Sequence, residues 1–445
     1  MGFNTLPFIF IFLPVFLAVY YLMPERLRNG VLALGSLVFY LLGTWKRPWC
    51  LALLMGLMAL TWLSGRKLAG SKPLLVGNLL VLGLCLFGFK YAGLLGSGIA
   101  LPLGLSFYSF QMAAYVIDVY REPQTVSHSF KKVLLYIAFF PQLIAGPIVK
   151  YHDIEQEIDS RRTTPQETAL GIRRFICGLS KKLLLSNALG QMADTVFALP
   201  AGEIGMLAGW TGAICYTLQI YFDFSGYSDM AIGLGRMFGF HFRENFNYPY
   251  TATTIKEFWR RWHISLSGWF RDYLYIPLGG NRKGNARTWL NRFLVFFATG
   301  LWHGASWTFV LWGLWHGLFS VLEDCGAIPV DKLKGKRIGQ LYTLLVVVLG
   351  FTLFRADTLT QAGAMYAAMF SGIGLHWLGT AAVWAKFTPA FALTLCLALL
   401  LCTPVAREHT PKRESVTFIG SLGLLLLCMM YLAAGSFNPF IYFRF

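Results

Sequence analysis

The sequence predicts an all-α polytopic membrane protein with about a dozen membrane-embedded helices. Of its 445 residues, 56% are hydrophobic and only 13% are charged, whereas soluble domains carry about 25% charged residues. Apolar runs long enough to cross a bilayer follow one another along nearly the whole chain. The basic residues fall in the short segments between those runs. Because no linker or soluble domain interrupts the pattern, residues 1–445 are predicted to form one membrane-embedded domain.

The first half of the chain contains seven candidate spans. Five are distinct and two are less so, and together they lie near residues 7–23, 30–45, 49–64, 74–93, 100–119, 132–149 and 171–198. The first run has no basic segment before it and no clear cleavage site before Pro24. We therefore expect it to remain as a spanning helix and not to be removed as a signal peptide.

The second half contains six further runs and a weaker one, near residues 206–222, 290–302, 307–323, 340–355, 384–404, 416–435 and, more weakly, 361–378. The segment 241–292 mixes arginine with tryptophan and does not resemble a span. We interpret its portion EFWRRWHISLSGWFRDYLY as an amphipathic helix at the cytoplasmic interface, followed by a loop in IPLGGNRKGN. Asp223 follows a run directly, and Ser225–Gly226 favours a helix break there with an aspartate capping the next helix.

The formal net charge is +17. In a soluble protein this would indicate a nucleic-acid partner, but the positions of the charges indicate membrane topology instead, and no nucleic acid is expected to bind. Placing the basic connections inside puts both the N-terminus and the C-terminus outside. The eight cysteines contain no C-x-x-C pair, so we expect neither a disulfide framework nor a metal site.

Two histidines are the candidate catalytic residues. His303 lies in the apolar string Gly300-Leu301-Trp302-His303-Gly304, and a titratable group at membrane depth is by default a candidate for function. His263 lies earlier in the chain and closely follows a basic pair. From the residues alone, each could also be structural: His303 as a neutral core histidine, and His263 as an interfacial one. His316 lies in the apolar run after that of His303 and is predicted to be structural, or to act only through another residue.

The strings YFDFSGYSDM, RRWHIS and GLWHGASW resemble the membrane-bound O-acyltransferase family, most closely its alginate O-acetyltransferase branch. This resemblance implies that the helices surround a funnel through the membrane, with the histidines at its narrow point. It also implies acyl transfer from a thioester to a hydroxyl, with His303 as general base and His263 as a hydrogen-bond donor to the carbonyl or the acceptor. We add five candidate substrate-binding residues: Arg260, Arg261, Trp262, Trp302 and Asp223.

The resemblance implies a bacterial inner-membrane enzyme without a bound cofactor. Its donor would be cytoplasmic acetyl-CoA and its acceptor an extracytoplasmic polysaccharide such as an alginate-like polymer, cellulose or peptidoglycan. Lys283 and Arg287, with the two arginines before Trp262, could attract the phosphates of coenzyme A. An outer-face acetyltransferase partner would complete the transfer, and membrane lipids surround the protein. Two alternatives stay open: transfer of D-alanyl or another acyl group from a carrier protein, and transport of a glycan or lipid without acyl transfer.

The C-terminal string Phe440-Ile441-Tyr442-Phe443-Arg444-Phe445 is rich in aromatic residues. An interfacial aromatic anchor explains this composition. The string also resembles the C-terminal tyrosine motif of the small partner peptide in teichoic acid D-alanylation. That resemblance makes Tyr442 a candidate acyl acceptor, which would relay the acetyl group to the outer partner.

Overall fold

The computed structural model describes residues 2–68, 70–92, 100–372, 377–408 and 413–435. Every regular element in these ranges is a helix, which confirms the predicted all-α class. The chain divides into two compact units, Met1–Ile176 with Tyr227–Glu244 and Cys177–Gly226 with Asn245–Phe445. Because the helices Pro165–Ser180 and Gly205–Met237 each contribute residues to both units, the prediction of one domain over 1–445 stays a prediction.

The first unit is built from long apolar helices followed by short amphipathic ones. A π-helical turn, Phe8–Phe12, leads into α1. The helices are α1 (Leu13–Leu22), α2 (Glu25–Gly43), α3 (Trp49–Lys67), α4 (Lys72–Tyr91), α5 (Leu105–Arg121), α6 (Phe130–Ala138), α7 (Phe140–Leu143), α8 (Tyr151–Asp159) and most of α9 (Pro165–Ser180), with a 3-10 turn at Pro123–Thr125. Phe139 separates α6 from α7, and Pro141, in the first turn of α7, offers no backbone N–H with which α6 could continue. The predicted run 132–149 is therefore two short helices.

The second unit carries both candidate histidines. A π-helical segment, Lys181–Ser186, joins α9 to α10, and a second one, Arg271–Tyr275, follows α13. The helices are α10 (Asn187–Phe197), α11 (Gly205–Met237), α12 (Ile255–Arg261), α13 (Ile264–Phe270), α14 (Asn285–His303), α15 (Trp307–Asp324), α16 (Val330–Leu333), α17 (Arg337–Arg355), α18 (Leu359–Phe370), α19 (Trp377–Lys386), α20 (Pro389–Leu401), α21 (Val405–Glu408) and α22 (Glu414–Ala433), with 3-10 turns at Ala201–Glu203 and Pro249–Thr251.

Four helices among the described residues are long and apolar enough to cross a membrane: α3, α4, α17 and α22. The pair α19 and α20 passes the same test only as one span, and it bends by 85°. Pro389 begins α20 at this bend, so the predicted run 384–404 starts inside a broken element. These helices establish a membrane protein. The larger number of about a dozen membrane-embedded helices stays a prediction, as does the central funnel.

Helix α11 corrects the predicted break near Asp223. It runs unbroken for 33 residues through the whole string YFDFSGYSDM, a length of about 50 Å. Gly226 is present for close packing and not for a turn, because a Cβ on it would lie 2.7 Å from the Gly178 carbonyl oxygen. Asp223 caps no helix; its carboxylate lies 2.5 Å from the Lys182 ammonium. The dipeptide Ser225–Gly226 therefore lies at a close contact between α11 and α9 and not at a helix break.

The segment 241–292 contains no spanning helix, but the predicted single amphipathic helix is two helices. α12 ends at Arg261 and α13 begins at Ile264. His263 lies between them with φ 43°, in the left-handed region that residues other than glycine seldom adopt. The break therefore places His263 at the junction of two short helices, and the turns of residues 276–283 follow as predicted.

Candidate active site

The pair of helices α14 and α15 positions His303. α14 ends at His303 because Gly304 follows in a fully extended conformation, with φ 167° and ψ 179°. Two glycines let the helices approach closely. A Cβ on Gly300 would lie 2.6 Å from the Phe309 carbonyl oxygen, and a Cβ on Gly313 would collide with the Phe296 carbonyl oxygen. His303 is consequently held at the end of a rigid helical hairpin.

Aromatic rings enclose the imidazole of His303. Its ring centroid lies 4.8 Å from that of Trp302, 5.1 Å from that of Trp312 and 4.9 Å from that of Phe354, with interplanar angles of 70°, 87° and 85°. Near-perpendicular pairs at these distances are favourable for aromatic rings. The histidine is 8% exposed. Its surroundings therefore fix the orientation of the ring and exclude most water.

The backbone on both sides of His263 is tied to the loop that precedes α12. The Asn247 N–H donates to the Arg261 carbonyl at 2.9 Å, and the Ile264 N–H donates to the Asn245 carbonyl at 2.9 Å. The imidazole packs edge-on against Phe224, with ring centroids 4.5 Å apart. Burial lowers the pKa of His263 to about 3, so its ring is neutral at physiological pH.

The amide of Asn245 determines which nitrogen of His263 carries the proton. The Ser265 backbone N–H reaches this amide at 3.1 Å, and a backbone N–H can only donate, so the atom it reaches is the oxygen Oδ1. Oδ1 also lies 3.2 Å from Nδ1 of His263. An amide oxygen only accepts, hence Nδ1 is the protonated nitrogen. Nε2 of the neutral ring then bears a lone pair, and it has no hydrogen-bond partner among the described residues.

Trp302 brings the two histidines into one site. Its ring lies 6.5 Å from that of His263 and 4.8 Å from that of His303, between centroids. The histidines, which are distant in sequence, thus share one neighbour in the fold. A site with two buried imidazoles can accept a proton at one position and donate a hydrogen bond at another, which is the minimum that acyl transfer requires.

The comparisons with known proteins identify the family of this chain. The sequence profile of the membrane-bound O-acyltransferase family matches residues 118–325, which include both histidines. A probable alginate O-acetylase of Pseudomonas putida is 39% identical over 492 aligned residues, which cover all of this chain and all of the relative. This chain belongs to the membrane-bound O-acyltransferase family. The predicted resemblance is therefore confirmed, and this acyltransferase is a membrane protein.

Two other relatives mark the range of the similarity. A peptidoglycan O-acetyltransferase of Helicobacter pylori is 31% identical over 100% of this chain and 97% of its own length. A teichoic acid D-alanyltransferase of Bacillus subtilis is 29% identical over 50% of this chain and 58% of its own length. The similarity to O-acetylating relatives therefore covers the whole acyltransferase, while the similarity to this D-alanyltransferase covers half of it.

The predicted substrate-binding residues do not all join the site of the acyltransferase. Arg260 is exposed, and Arg261 donates to Glu257 at 2.7 Å. Trp262 is buried and packs on Phe351, with centroids 5.0 Å apart. Trp302 contacts both histidine rings. Tyr442 lies outside the described residues.

His316 is buried on α15 and separated from His303 by Trp312. The indole centroid of Trp312 is 5.1 Å from that of His303 and 5.4 Å from that of His316. Trp259 packs edge-on against the other side of His316 at 5.0 Å. His316 therefore contacts the site through Trp312, and the structural or indirect role predicted for it stays a prediction.

Sequence reasoning missed Asn245 and Lys182. Asn245 lies well before His263 in the chain, and no local pattern links an asparagine to a histidine at such a separation. Lys182 could have been found from the sequence. It is a charged residue within the apolar run 171–198, and Asp223 is an opposite charge that directly follows the apolar run 206–222. Opposite charges at membrane depth tend to pair. The two side chains are each 2% exposed and 2.5 Å apart.

Proposed function

We propose that this acyltransferase passes acetyl groups from cytoplasmic acetyl-CoA across the bacterial inner membrane for the O-acetylation of an extracytoplasmic polysaccharide. The observation that carries the proposal is the pair of buried histidines that share Trp302 as a neighbour, inside the family-matched region. The names of the full-length relatives support acetyl as the acyl group and alginate or peptidoglycan as the type of polymer. An outer-face acetyltransferase partner completes the transfer to the polymer.

The chemistry needs two groups that the site contains. A thioester is attacked poorly by a neutral alcohol, so a base must remove the hydroxyl proton during attack, which contributes about 10²–10⁴-fold. A hydrogen-bond donor must stabilise the negative charge that develops on the carbonyl oxygen. His263 and His303 supply one group each. Arg260, Lys283 and Arg287 are exposed, and in this proposal they attract the phosphates of coenzyme A.

Transfer of D-alanyl from a carrier protein is the second candidate, and the teichoic acid D-alanyltransferase relatives favour it. Their similarity covers 50% and 57% of this chain, so we rank it below acetyl transfer. Reconstituted protein should consume [14C]acetyl-CoA and label the polymer, and should ignore a D-alanyl carrier protein. If the polymer were labelled only when the D-alanyl carrier protein is the donor, D-alanyl transfer would rank above acetyl transfer. Glycan or lipid flux that is unaffected by the acyl donor would favour the transporter alternative.

The proposed direction of transfer requires a cytoplasmic loop near residues 275–290. We expect a cysteine at Asn285, an exposed position, to react with an impermeant thiol reagent only after the cells are permeabilised. Because Cys177, Cys325 and Cys396 are exposed, the substitution is made in a variant that lacks these three. Labelling of intact cells at position 285 would contradict the orientation with both termini outside.

The proposed relay through Tyr442 can be tested by removing the hydroxyl oxygen of this side chain. A phenol has a pKa near 10, so its acetyl ester is a better acetyl donor than a sugar ester. Tyr442→Phe removes the hydroxyl and keeps the aromatic anchor, and we expect it to abolish both polymer acetylation and acetyl-CoA consumption in membranes, because the acetyl group then has no acceptor. Phe443→Leu is the matched control, because it alters the anchor and leaves the hydroxyl. Normal acetylation by Tyr442→Phe would leave only the anchor interpretation.

A further inference from the structure

The N-terminus of α12 is capped by a side chain from α15. The backbone N–H groups of Ile255 and Lys256 donate to the two carboxylate oxygens of Glu323, at 2.5 Å and 3.1 Å. The next N–H, that of Glu257, donates to the hydroxyl of Thr254 at 3.1 Å. The first N–H groups of a helix have no partner within it, so these bonds satisfy the first three of α12. Glu323, which is 5% exposed, supplies two of them from another helix.

The neighbouring acid, Asp324, extends this connection to α14. Its carboxylate pairs with the Lys256 ammonium of α12 and with the Arg292 guanidinium of α14. Hydrogen bonds between charged partners are stronger than neutral ones. The last two residues of α15 therefore hold both helices that lead to the histidines of the site, because α12 ends two residues before His263 and α14 ends at His303.

Glu323 lies on the face of α15 that also carries Trp312 and His316, since about three helical turns separate Trp312 from Glu323. The rings of Trp312 and His316 pack against Trp259 of α12, with centroids 5.7 Å and 5.0 Å away. These contacts fix the position of α12 along its axis only loosely, because burial of apolar surface is non-directional. The two hydrogen bonds to Glu323 fix it closely, because both oxygens meet consecutive N–H groups in a single register.

The register of α12 determines where His263 lies. A helix advances about 1.5 Å per residue, and a misplacement of about 1 Å in an active site can reduce the rate about 10²-fold. The backbone bonds on both sides of His263 go to Asn245 and Asn247, in the loop directly before α12, and not to α14 or α15. They therefore fix His263 on its own loop and leave its distance from His303 to the contacts between helices.

We propose, on the basis of the proposed function, that Glu323 is a positioning residue for acetyl transfer. It fixes the register of α12 on α15 and thereby places His263 relative to His303. The length of α12, about 9 Å, separates the cap from the junction at His263, so Glu323 neither binds substrate nor takes a proton. A role in charge balance explains less, because the Lys256 ammonium pairs with Asp324.

Hydrogen exchange tests the cap without turnover. In full-length protein in lipid nanodiscs, we expect Glu323→Gln to speed exchange of the backbone N–H groups over residues 255–261, because an amide offers one acceptor oxygen where a carboxylate offers two. The N–H groups of α14 are the internal reference and should keep their rates. Unchanged exchange over residues 255–261 would overturn the proposal. If Glu323→Gln fails to insert, Glu323→Asp keeps the charge, withdraws the carboxylate by one methylene, and is judged by the same comparison.

Turnover tests the positioning role. Per inserted molecule, Glu323→Gln should lower kcat about 10²-fold. Tyr342→Phe is the matched control, because it removes a hydroxyl that donates to Glu323 at 3.3 Å and leaves the bonds to α12, so its kcat should stay at the level of the unaltered protein.

A double-mutant cycle with His263→Asn identifies the residue through which Glu323 acts. If Glu323 acts through His263, Glu323→Gln causes no further loss of kcat in the His263→Asn background. Fully additive losses, or a normal kcat in Glu323→Gln alone, would overturn the proposal. Absence of acetyl transfer by the unaltered protein would instead refute the proposed function, and hydrogen exchange would still judge the cap.

Discussion

Replacing His303 by alanine is expected to abolish polymer acetylation. The variant removes an imidazole enclosed by three rings within 5.1 Å, in the site that also contains His263. Loss of a single preorganised donor to a developing oxyanion costs about 10²–10³ in kcat, and loss of a general base costs up to about 10⁴. Either role therefore predicts a loss that a colorimetric assay of base-released acetate resolves. The measurement is ester-bound acetate per sugar in the isolated polymer.

His303→Gln separates the two roles. Glutamine can donate a hydrogen bond through its amide and cannot act as a base. With His303 as the base, as the resemblance implies, we expect His303→Gln to lose as much activity as His303→Ala, whereas clearly higher activity of His303→Gln would indicate that His303 donates the hydrogen bond. Membrane abundance of both variants should equal that of the unaltered protein, since the extended Gly304 ends α14 after residue 303 in any case. Wild-type acetylation by His303→Ala at normal abundance would remove His303 from the mechanism.

The sequence predicts the fold class because hydropathy reports the environment of each segment. Long apolar runs such as those of α3, α4 and α17 coincide with helices to within a few residues. The sequence predicts backbone conformation less well where helix packing determines it and not the surrounding bilayer. Gly226 could terminate a helix or allow a close helix contact, and only the position of Gly178 decides between them. The strained backbone at His263 likewise depends on hydrogen bonds to Asn245, which is remote in sequence.

The same distinction applies to the site. The two histidines could be found in the sequence because a titratable residue in an apolar, aromatic string is unusual at any position. The roles of the two histidines could not be predicted from the sequence, because the role of a histidine depends on which ring nitrogen carries the proton. That proton is fixed by Asn245, a residue of the preceding loop, through a contact of 3.2 Å. Residue identity thus predicts where chemistry occurs, and the hydrogen-bond partner determines its direction.

Lys182→Met is expected to produce the largest loss of stability among substitutions outside the histidine pair. Lys182 and Asp223 are each 2% exposed and lie 2.5 Å apart. Removing one partner of a buried ion pair leaves an uncompensated charge and costs about 3–5 kcal/mol. We therefore expect Lys182→Met to fall sharply in membrane abundance, and to melt at lower temperature in detergent than the unaltered protein.

The double variant Lys182→Met/Asp223→Leu distinguishes a purely structural role of this ion pair from a role of Asp223 in substrate binding. Replacing both charges by apolar residues of similar volume is often neutral or stabilising, so abundance should return to that of the unaltered protein. Phe224, adjacent to Asp223 on α11, would then keep its contact with His263 at 4.5 Å. If the carboxylate only balances the ammonium, polymer acetylation returns together with abundance. Restored abundance without acetylation would instead favour a role of Asp223 in substrate binding, for which it is one of the five candidate residues.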